Sequence, residues 1–163
     1  MTYANPRRME KSLRLQNADL LNEYNLLDAG LARPKVREAD YRGKAKHLEY
    51  KAREHQPAML CTLVMSENVD SKGVKRYPVG ILPVLDPETG ATLVDELGRR
   101  SFTSSIAYGP TIGKNIALAY LPWSYCQEGR KLNVEYFGET YPAEVVSIGY
   151  KPLYDPENPK PRS

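Results

Sequence analysis

The sequence predicts an α+β protein in which a short helical lead-in is followed by a small antiparallel β barrel. Three observations support this prediction. Apolar residues recur at helical spacing before residue 57, short strand-like runs follow Pro57, and Gly, Pro and Asn/Asp turns separate these runs. Several short strands at close spacing favour an antiparallel barrel or sandwich over a parallel sheet. We therefore divide the chain into a helical segment 1–56, a barrel 57–150 and an extended tail 151–163.

Two helices are predicted in the helical segment. The first runs from Arg7 to about Gly30, because its apolar residues are spaced as on one face of a helix. The second runs from about Gly43 to Glu54 and carries an apolar stripe opposite a face rich in Lys, Arg and Glu. A charged face of this kind is predicted to be solvated.

Six strands are predicted after Pro57, each bounded by turn residues. They are Met59–Met65, Val79–Leu85, Arg99–Ser105, Asn115–Leu121, Lys131–Phe137 and Tyr141–Ile148. Phe137-Gly138-Glu139 lies between the last two runs and predicts a tight hairpin. The proline-rich tail from Pro152 is predicted to lie extended on the surface, because proline suits neither a helix nor a β ladder.

Composition argues against several classes of protein. The 163 residues carry a net charge of +3 with both signs mixed, which favours neither a nucleic acid nor a membrane as a partner. No apolar run approaches the about 18 residues of a membrane span. The two cysteines and two histidines lack zinc-site spacing, so no metal site is predicted. Cys61 lies in an apolar run that favours a reduced core thiol, and a cytoplasmic location is the expectation.

Several strings of residues carry a family resemblance. Residues 98–105 (GRRSFTSS) and 109–122 (GPTIGKNIALAYLP) resemble the C-terminal barrel of the aminomethyltransferase family. That family includes the glycine cleavage T-protein and the folate-binding C-terminal part of dimethylglycine and sarcosine dehydrogenases. Residues 8–11 (RMEK), 28–31 (DAGL) and 40–44 (DYRGK) resemble segments of the dehydrogenase branch and occur in the same order. The dehydrogenase branch therefore fits this chain best.

The chain also departs from the family pattern. Ser12 and Ser105 stand where the family usually has glycine, and the loop 86–97 is longer than the family's short turn. The resemblance opens in the last third of the folate-binding domain, so the family's catalytic aspartate and its pterin-contacting glutamate lie upstream of the matched region. The resemblance therefore implies half of a folate site, with no catalytic residue in this chain.

The resemblance implies cofactor-binding roles for Arg8, Glu10, Tyr108 and Arg162. Arg8 matches an arginine beside the family's folate pocket, where planar donors suit pterin or carboxylate oxygens. The alternative for Arg8 is a salt bridge that holds the helix to the barrel. Glu10 either orients Arg8 or is a first-turn acid at a helix N-terminus. Tyr108 either stacks on a ligand ring or packs at an interface, and Arg162 in the tail would reach back to the pocket.

The family resemblance implies a function that this chain would share with a partner. It predicts the C-terminal segment or small subunit of a tetrahydrofolate-dependent one-carbon transfer or N-demethylating enzyme. A larger catalytic chain would carry the rest of the folate domain and, in the dehydrogenase branch, the FAD. Two alternatives stay open, namely a non-catalytic structural or regulatory subunit of the same fold and part of a folate-dependent S- or O-demethylase.

Overall fold

The computed structural model describes residues 4–32, 35–154 and 157. Within these residues the chain forms two helices, a short 3-10 turn and six strands. The helical elements are α1 (Ala4–Glu10), α2 (Lys44–Lys51) and the 3-10 turn (Trp123–Tyr125). The strands are β1 (Ala58–Met65), β2 (Val84–Leu85), β3 (Thr103–Gly109), β4 (Lys114–Pro122), β5 (Lys131–Tyr136) and β6 (Glu139–Ile148). The predicted α+β class, with helices before strands, is confirmed.

The six strands form one antiparallel sheet in the order β2-β5-β6-β1-β4-β3. The sheet curls until its two edges meet next to β2. There the Val84 N–H donates to the Ser101 carbonyl at 3.1 Å, and the Thr103 N–H donates to the Leu82 carbonyl at 2.8 Å. These bonds pair backbone groups that an open edge would expose. The predicted small antiparallel barrel is confirmed.

Strands β1 and β4 are buried on both faces because they separate two apolar clusters. Successive side chains of a strand point to opposite faces. On the inner face Leu63 and Leu121 join the barrel core. On the outer face Leu60 and Leu118 pack in a second cluster with Met9 of α1. This outer cluster seats α1 on the barrel wall and thereby positions the N-terminal segment.

The first predicted helix, over 7–30, is wrong beyond Glu10. Ser12 and Asn17 have φ values of +58° and +63°, which a right-handed helix does not accommodate. Leu13, which the helical spacing assigned to an apolar face, is 48% exposed. The apolar spacing in this segment therefore reflects a series of turns rather than one continuous helix.

Two buried carboxylates organise those turns. One carboxylate oxygen of Asp19 accepts the Leu15 N–H at 2.9 Å, and one of Asp28 accepts the Asn25 N–H at 3.0 Å. Both side chains are almost unexposed. Each carboxylate thus accepts a backbone N–H that would donate to a carbonyl in a helix. The N–H groups of Leu15 and Asn25 are therefore bonded although the chain turns.

Two strands differ in extent from their predictions. The strand predicted at 79–85 is reduced to β2, and the strand predicted at 99–105 is displaced toward the C-terminus as β3. At this corner the Thr103 hydroxyl accepts the Leu82 N–H at 3.0 Å and donates to the Gly80 carbonyl at 3.0 Å. These side-chain bonds take the place of regular ladder bonds.

The loop after β2 yields a prediction about pH. The Tyr125 hydroxyl donates to Asp86 Oδ2 at 2.6 Å, and with backbone N–H donors it lowers the pKa of Asp86 from 3.8 to about 2. A depressed carboxylate pKa contributes stability that is complete above about pH 4 and is lost as the pH falls through about 2. We therefore expect Tyr125→Phe to lower the urea midpoint at neutral pH and to lower it progressively less as the pH falls through this window. If the difference in urea midpoint between Tyr125→Phe and the unmodified chain stayed constant with pH, this expectation would be contradicted. The control is Tyr77→Phe, because Tyr77 is half-exposed.

Candidate functional site

A cavity of about 530 Å³ opens between α1, the loop before β2 and strand β3. Most of its wall is apolar, and Arg8 supplies its cationic group. The residues that line it include Arg8, Leu15, Val79, Ile81, Ser105 and Ile106. Such a site suits a ligand that combines an apolar body with a few hydrogen-bond acceptors.

The guanidinium of Arg8 is fixed on three sides. Its Nη1 donates to Asp19 Oδ2, its Nη2 donates to Ser105 Oγ and its Nε donates to Asn5 Oδ1, each at 2.7 Å. The Arg8 side chain is 14% exposed and the Asp19 side chain is 0% exposed. A buried ion pair with this many hydrogen bonds holds the cation in one orientation at the cavity wall.

Asp19 is the centre of the network, and the sequence analysis did not single it out. Its Oδ1 accepts the hydroxyls of Ser104 at 2.6 Å and Ser105 at 2.7 Å, while its Oδ2 accepts the Arg8 guanidinium and the Leu15 N–H. One carboxylate therefore joins α1, the turn after it and β3. The only available signal was an acid within a predicted apolar helix, and such a residue predicts no partner by itself.

Ser105 gives this chain a contact that glycine cannot make. Its hydroxyl accepts from Arg8 and donates to Asp19, so it bridges the two members of the ion pair. The family pattern usually has glycine at this position. The departure seen in the sequence therefore strengthens the Arg8 network.

The carboxylate of Glu10 forms its hydrogen bonds with the β3–β4 turn rather than with Arg8. Its Oε1 accepts the N–H groups of Thr111 at 2.7 Å and Ile112 at 3.2 Å, in the turn between β3 and β4. Glu10 is the last residue of α1 and is 4% exposed, so the alternative of a first-turn acid is wrong. Its carboxylate instead ties the end of the helix to the β3–β4 turn.

The two remaining predicted site residues lie away from the cavity wall or outside the described residues. Tyr108 follows the lining part of β3, pairs with Asn115 and meets the Tyr77 ring edge-on at 6.2 Å. Arg162 lies outside the described residues. The last continuously described residue, Tyr154, donates its N–H to the carbonyl of Glu10 at 3.0 Å. Tyr154 therefore contacts the end of α1, two residues after Arg8 in the sequence.

An aromatic stack supports the segment that carries Asp19. The Tyr24 ring stacks on Tyr120 with centroids 3.5 Å apart, and the Arg99 guanidinium lies 4.2 Å from the Tyr24 centroid. Burial raises the pKa of Tyr24 to about 12. The Tyr120 hydroxyl donates to the Asp19 carbonyl at 2.7 Å, so the stack holds the Asp19 turn on β4. In this stack Tyr120 is buried and Tyr24 is partly exposed.

Two further findings apply to the part of the chain that the structure describes. No three His, Cys, Asp or Glu side chains there are grouped so that they could hold a metal ion. Among the described helices, none has the length and apolar content needed to cross a membrane.

The barrel matches a known protein family. Residues 76–155 match the family described as the glycine cleavage T-protein C-terminal barrel domain. These residues belong to that family. The matched range covers strands β2 to β6, and the resemblance seen in the sequence is thereby confirmed.

Curated relatives extend the similarity into the helical segment. The mitochondrial dimethylglycine dehydrogenase of Rattus norvegicus is 28% identical over 150 residues, which cover 89% of this chain and 15% of that enzyme. An aminomethyltransferase of Symbiobacterium thermophilum is 32% identical over 147 residues, which cover 88% of this chain and 34% of the relative. This chain thus spans about a sixth to a third of the relatives' length.

A solved structure shares the fold. The glycine cleavage system aminomethyltransferase T from Bartonella henselae superposes with a TM-score of 0.70 at 21% sequence identity. The superposition covers 91% of this chain and 38% of that protein. The helical segment and the barrel therefore occur together in a larger protein of the same architecture.

Proposed function

We propose that this chain supplies one wall of a tetrahydrofolate pocket in a one-carbon transfer enzyme of the dimethylglycine or sarcosine dehydrogenase type. The observation that carries the proposal is Arg8, a fixed cation on the wall of an apolar cavity of about 530 Å³. A folate has flat rings for the apolar surface and carbonyl or carboxylate oxygens for a guanidinium. Family membership of the barrel and the dehydrogenase similarity support this choice of ligand.

The proposal requires a partner that completes the pocket. Residues 1–56 form the closing part of a folate-binding domain, and residues 57–150 form the barrel that supports it. The rest of the folate-binding domain belongs to another chain or another stretch of polypeptide. Leu15 and Ile81 on the cavity wall are 49% and 73% exposed, as expected of surface that a protein partner covers. The small share of each relative that this chain spans supports the same reading. In a dehydrogenase the partner also carries FAD.

The residues present fit a binding role rather than an acid–base role. Tetrahydrofolate, when bound, supplies the amine that takes up the one-carbon unit. Arg8 orients its polar end, Ser105 and Asp19 hold Arg8, and the apolar wall excludes water. Asp19 is unexposed and already accepts four donors, so it is not a general base. The carboxylate that moves the proton is therefore placed on the partner.

The other sequence-predicted residues have defined places in the proposal. Tyr108 does not line the cavity itself, and its proposed role is to stack on an aromatic group of a ligand that extends beyond the wall. Glu10 acts by fixing the end of α1. The folate-contacting role of Arg162 stays a prediction, because this residue lies outside the described residues. The cytoplasmic location is part of the proposal, whereas the rat relative is named as mitochondrial.

Replacing Arg8 tests the proposal in the assembled enzyme, meaning this chain together with the partner that completes the folate domain. We expect Arg8→Met to weaken binding of 5-formyltetrahydrofolate about tenfold to a hundredfold, because a charge-assisted hydrogen bond is lost. Arg8→Lys keeps the positive charge opposite Asp19 but loses the planar fork, so we expect an intermediate loss of affinity. Isothermal titration calorimetry measures both affinities.

Arg100→Met is the matched control for the Arg8 variants, because Arg100 is exposed and does not line the cavity. Its affinity for 5-formyltetrahydrofolate is expected to equal that of the unmodified enzyme. If Arg8→Lys, folded and assembled, also binds with unchanged affinity, the folate-pocket proposal is wrong and the non-catalytic subunit becomes the better interpretation.

A further inference from the structure

Two thiols lie side by side, away from the Arg8 cavity. The Sγ of Cys61 in β1 is 3.8 Å from the Sγ of Cys126, which follows the 3-10 turn. Both cysteines are free. Cys61 is wholly buried in the barrel core, whereas Cys126 is half-buried at its margin. The pair therefore joins a fully buried cysteine to a partly exposed one.

The backbone holds the two cysteines differently. Cys61 is fixed between two strands, since it pairs with Ala119 of β4 and Ile148 of β6. Cys126 belongs to neither a strand nor a helix. We therefore expect closure to a disulfide bond of about 2.05 Å to move Cys126 and to leave β1 in place.

The electrostatics of the pair assign different roles to the two sulfurs. The hydrogen bond from the Cys61 thiol lowers the pKa of Cys126, and the same bond together with burial raises the pKa of Cys61. The thiolate is the nucleophilic form of cysteine. Cys126 is therefore the first sulfur to react, and Cys61 is the protonated neighbour that follows.

We propose that Cys61 and Cys126 are a modification site that a hydroperoxide converts to an intramolecular disulfide. The Cys126 thiolate attacks one peroxide oxygen, so that an S–O bond forms, the O–O bond breaks and an alkoxide or hydroxide leaves. The Cys61 sulfur then attacks the sulfenic sulfur of Cys126. The S–S bond forms, the S–O bond breaks, and the hydroxyl leaves as water with the proton of Cys61. The two sulfurs give up two electrons, which reduce the peroxide.

The bond would join positions that are 65 residues apart in the sequence. A cross-link of that length restricts the unfolded chain strongly. The oxidised protein is therefore expected to melt at a higher temperature than the reduced protein. The bond also fastens the segment after the 3-10 turn to the central strand β1.

Peptide mapping of the full chain tests the site. The reduced protein is treated with one equivalent of hydrogen peroxide, its remaining thiols are blocked with N-ethylmaleimide, and it is digested with trypsin without reductant. We expect a linked pair of peptides, residues 54–72 and 115–130, and loss of both free thiols. Dithiothreitol reverses both changes, and the yield is independent of protein concentration.

Cys126→Ser is the variant that separates this mechanism from independent oxidation of the two thiols. In that variant we expect no linked pair, and we expect Cys61 to stay reduced because it is buried. The proposal is overturned if the unmodified chain converts Cys126 to a sulfinic acid while Cys61 stays free. It is equally overturned if the only disulfides join two separate chains.

Discussion

Replacing Asp19 with alanine is expected to lower the free energy of unfolding by about 3–5 kcal/mol. The side chain is 0% exposed and accepts hydrogen bonds from Arg8, Ser104, Ser105 and the Leu15 N–H. Its removal leaves the largely buried guanidinium without its anion and leaves the Leu15 donor unsatisfied. Breaking a buried ion pair from one side is costly for this reason.

Urea unfolding followed by far-ultraviolet circular dichroism measures this loss. Glu67→Ala removes an exposed carboxylate and is the control, with an expected change below about 0.5 kcal/mol. If Asp19→Ala were no less stable than Glu67→Ala, the carboxylate would not hold the Arg8 network together. Asp19 would then not be what fixes the orientation of Arg8 at the cavity wall.

Gly30→Ala is expected to be the second large loss of stability, at about 3–5 kcal/mol. Gly30 has φ +69°, a left-handed conformation that side chains disfavour. An added Cβ would also lie 2.4 Å from the Cα of Gly149, so one of the two backbones must move. This contact is part of the packing of segment 28–30 against β1, where the Leu60 N–H donates to the Asp28 carbonyl at 2.7 Å.

Gly90→Ala separates the two causes, because Gly90 has the same φ of +69° and nothing within 4 Å of an added Cβ. It should lose only the conformational cost of about 1–2 kcal/mol. The difference between the two variants measures the steric cost at the Gly30–Gly149 contact. Equal losses in thermal or urea unfolding would show that this contact is loose.

The barrel could be predicted because its signals are local. The alternation of strand residues and the turns between them are visible in the sequence, and Phe137 and Gly138 form the expected hairpin with φ +53° and +75°. Such a turn depends on adjacent residues. The predicted hairpin between β5 and β6 is therefore confirmed.

The segment after α1 could not be predicted because its structure depends on distant partners. The spacing of apolar residues there suits a helix. In the structure, however, Asp19 accepts hydrogen bonds from Ser104 and Ser105, which lie 85 and 86 residues further along the chain. No local pattern shows that a carboxylate will be buried among these donors. Tertiary contacts therefore decide the turns, and with them the position of Leu15 on the cavity wall.

The candidate site, too, could be predicted only in part from the sequence. Family resemblance pointed to Arg8, and the structure places Arg8 on a cavity wall. It did not identify Asp19 or explain Ser105, since the bridge between Arg8 and Asp19 exists only when β3 lies beside α1. The resemblance implied that Glu10 would orient Arg8, whereas its carboxylate binds the β3–β4 turn.

A structure of the assembled enzyme with 5-formyltetrahydrofolate would show whether Arg8 contacts a bound folate. We expect a polar atom of the ligand within about 3.5 Å of the Arg8 guanidinium, with Arg8 still paired to Asp19. We also expect the partner to cover Leu15 and Ile81. A bound folate remote from Arg8, with side chains of the partner filling this cavity, would contradict the proposed role of Arg8.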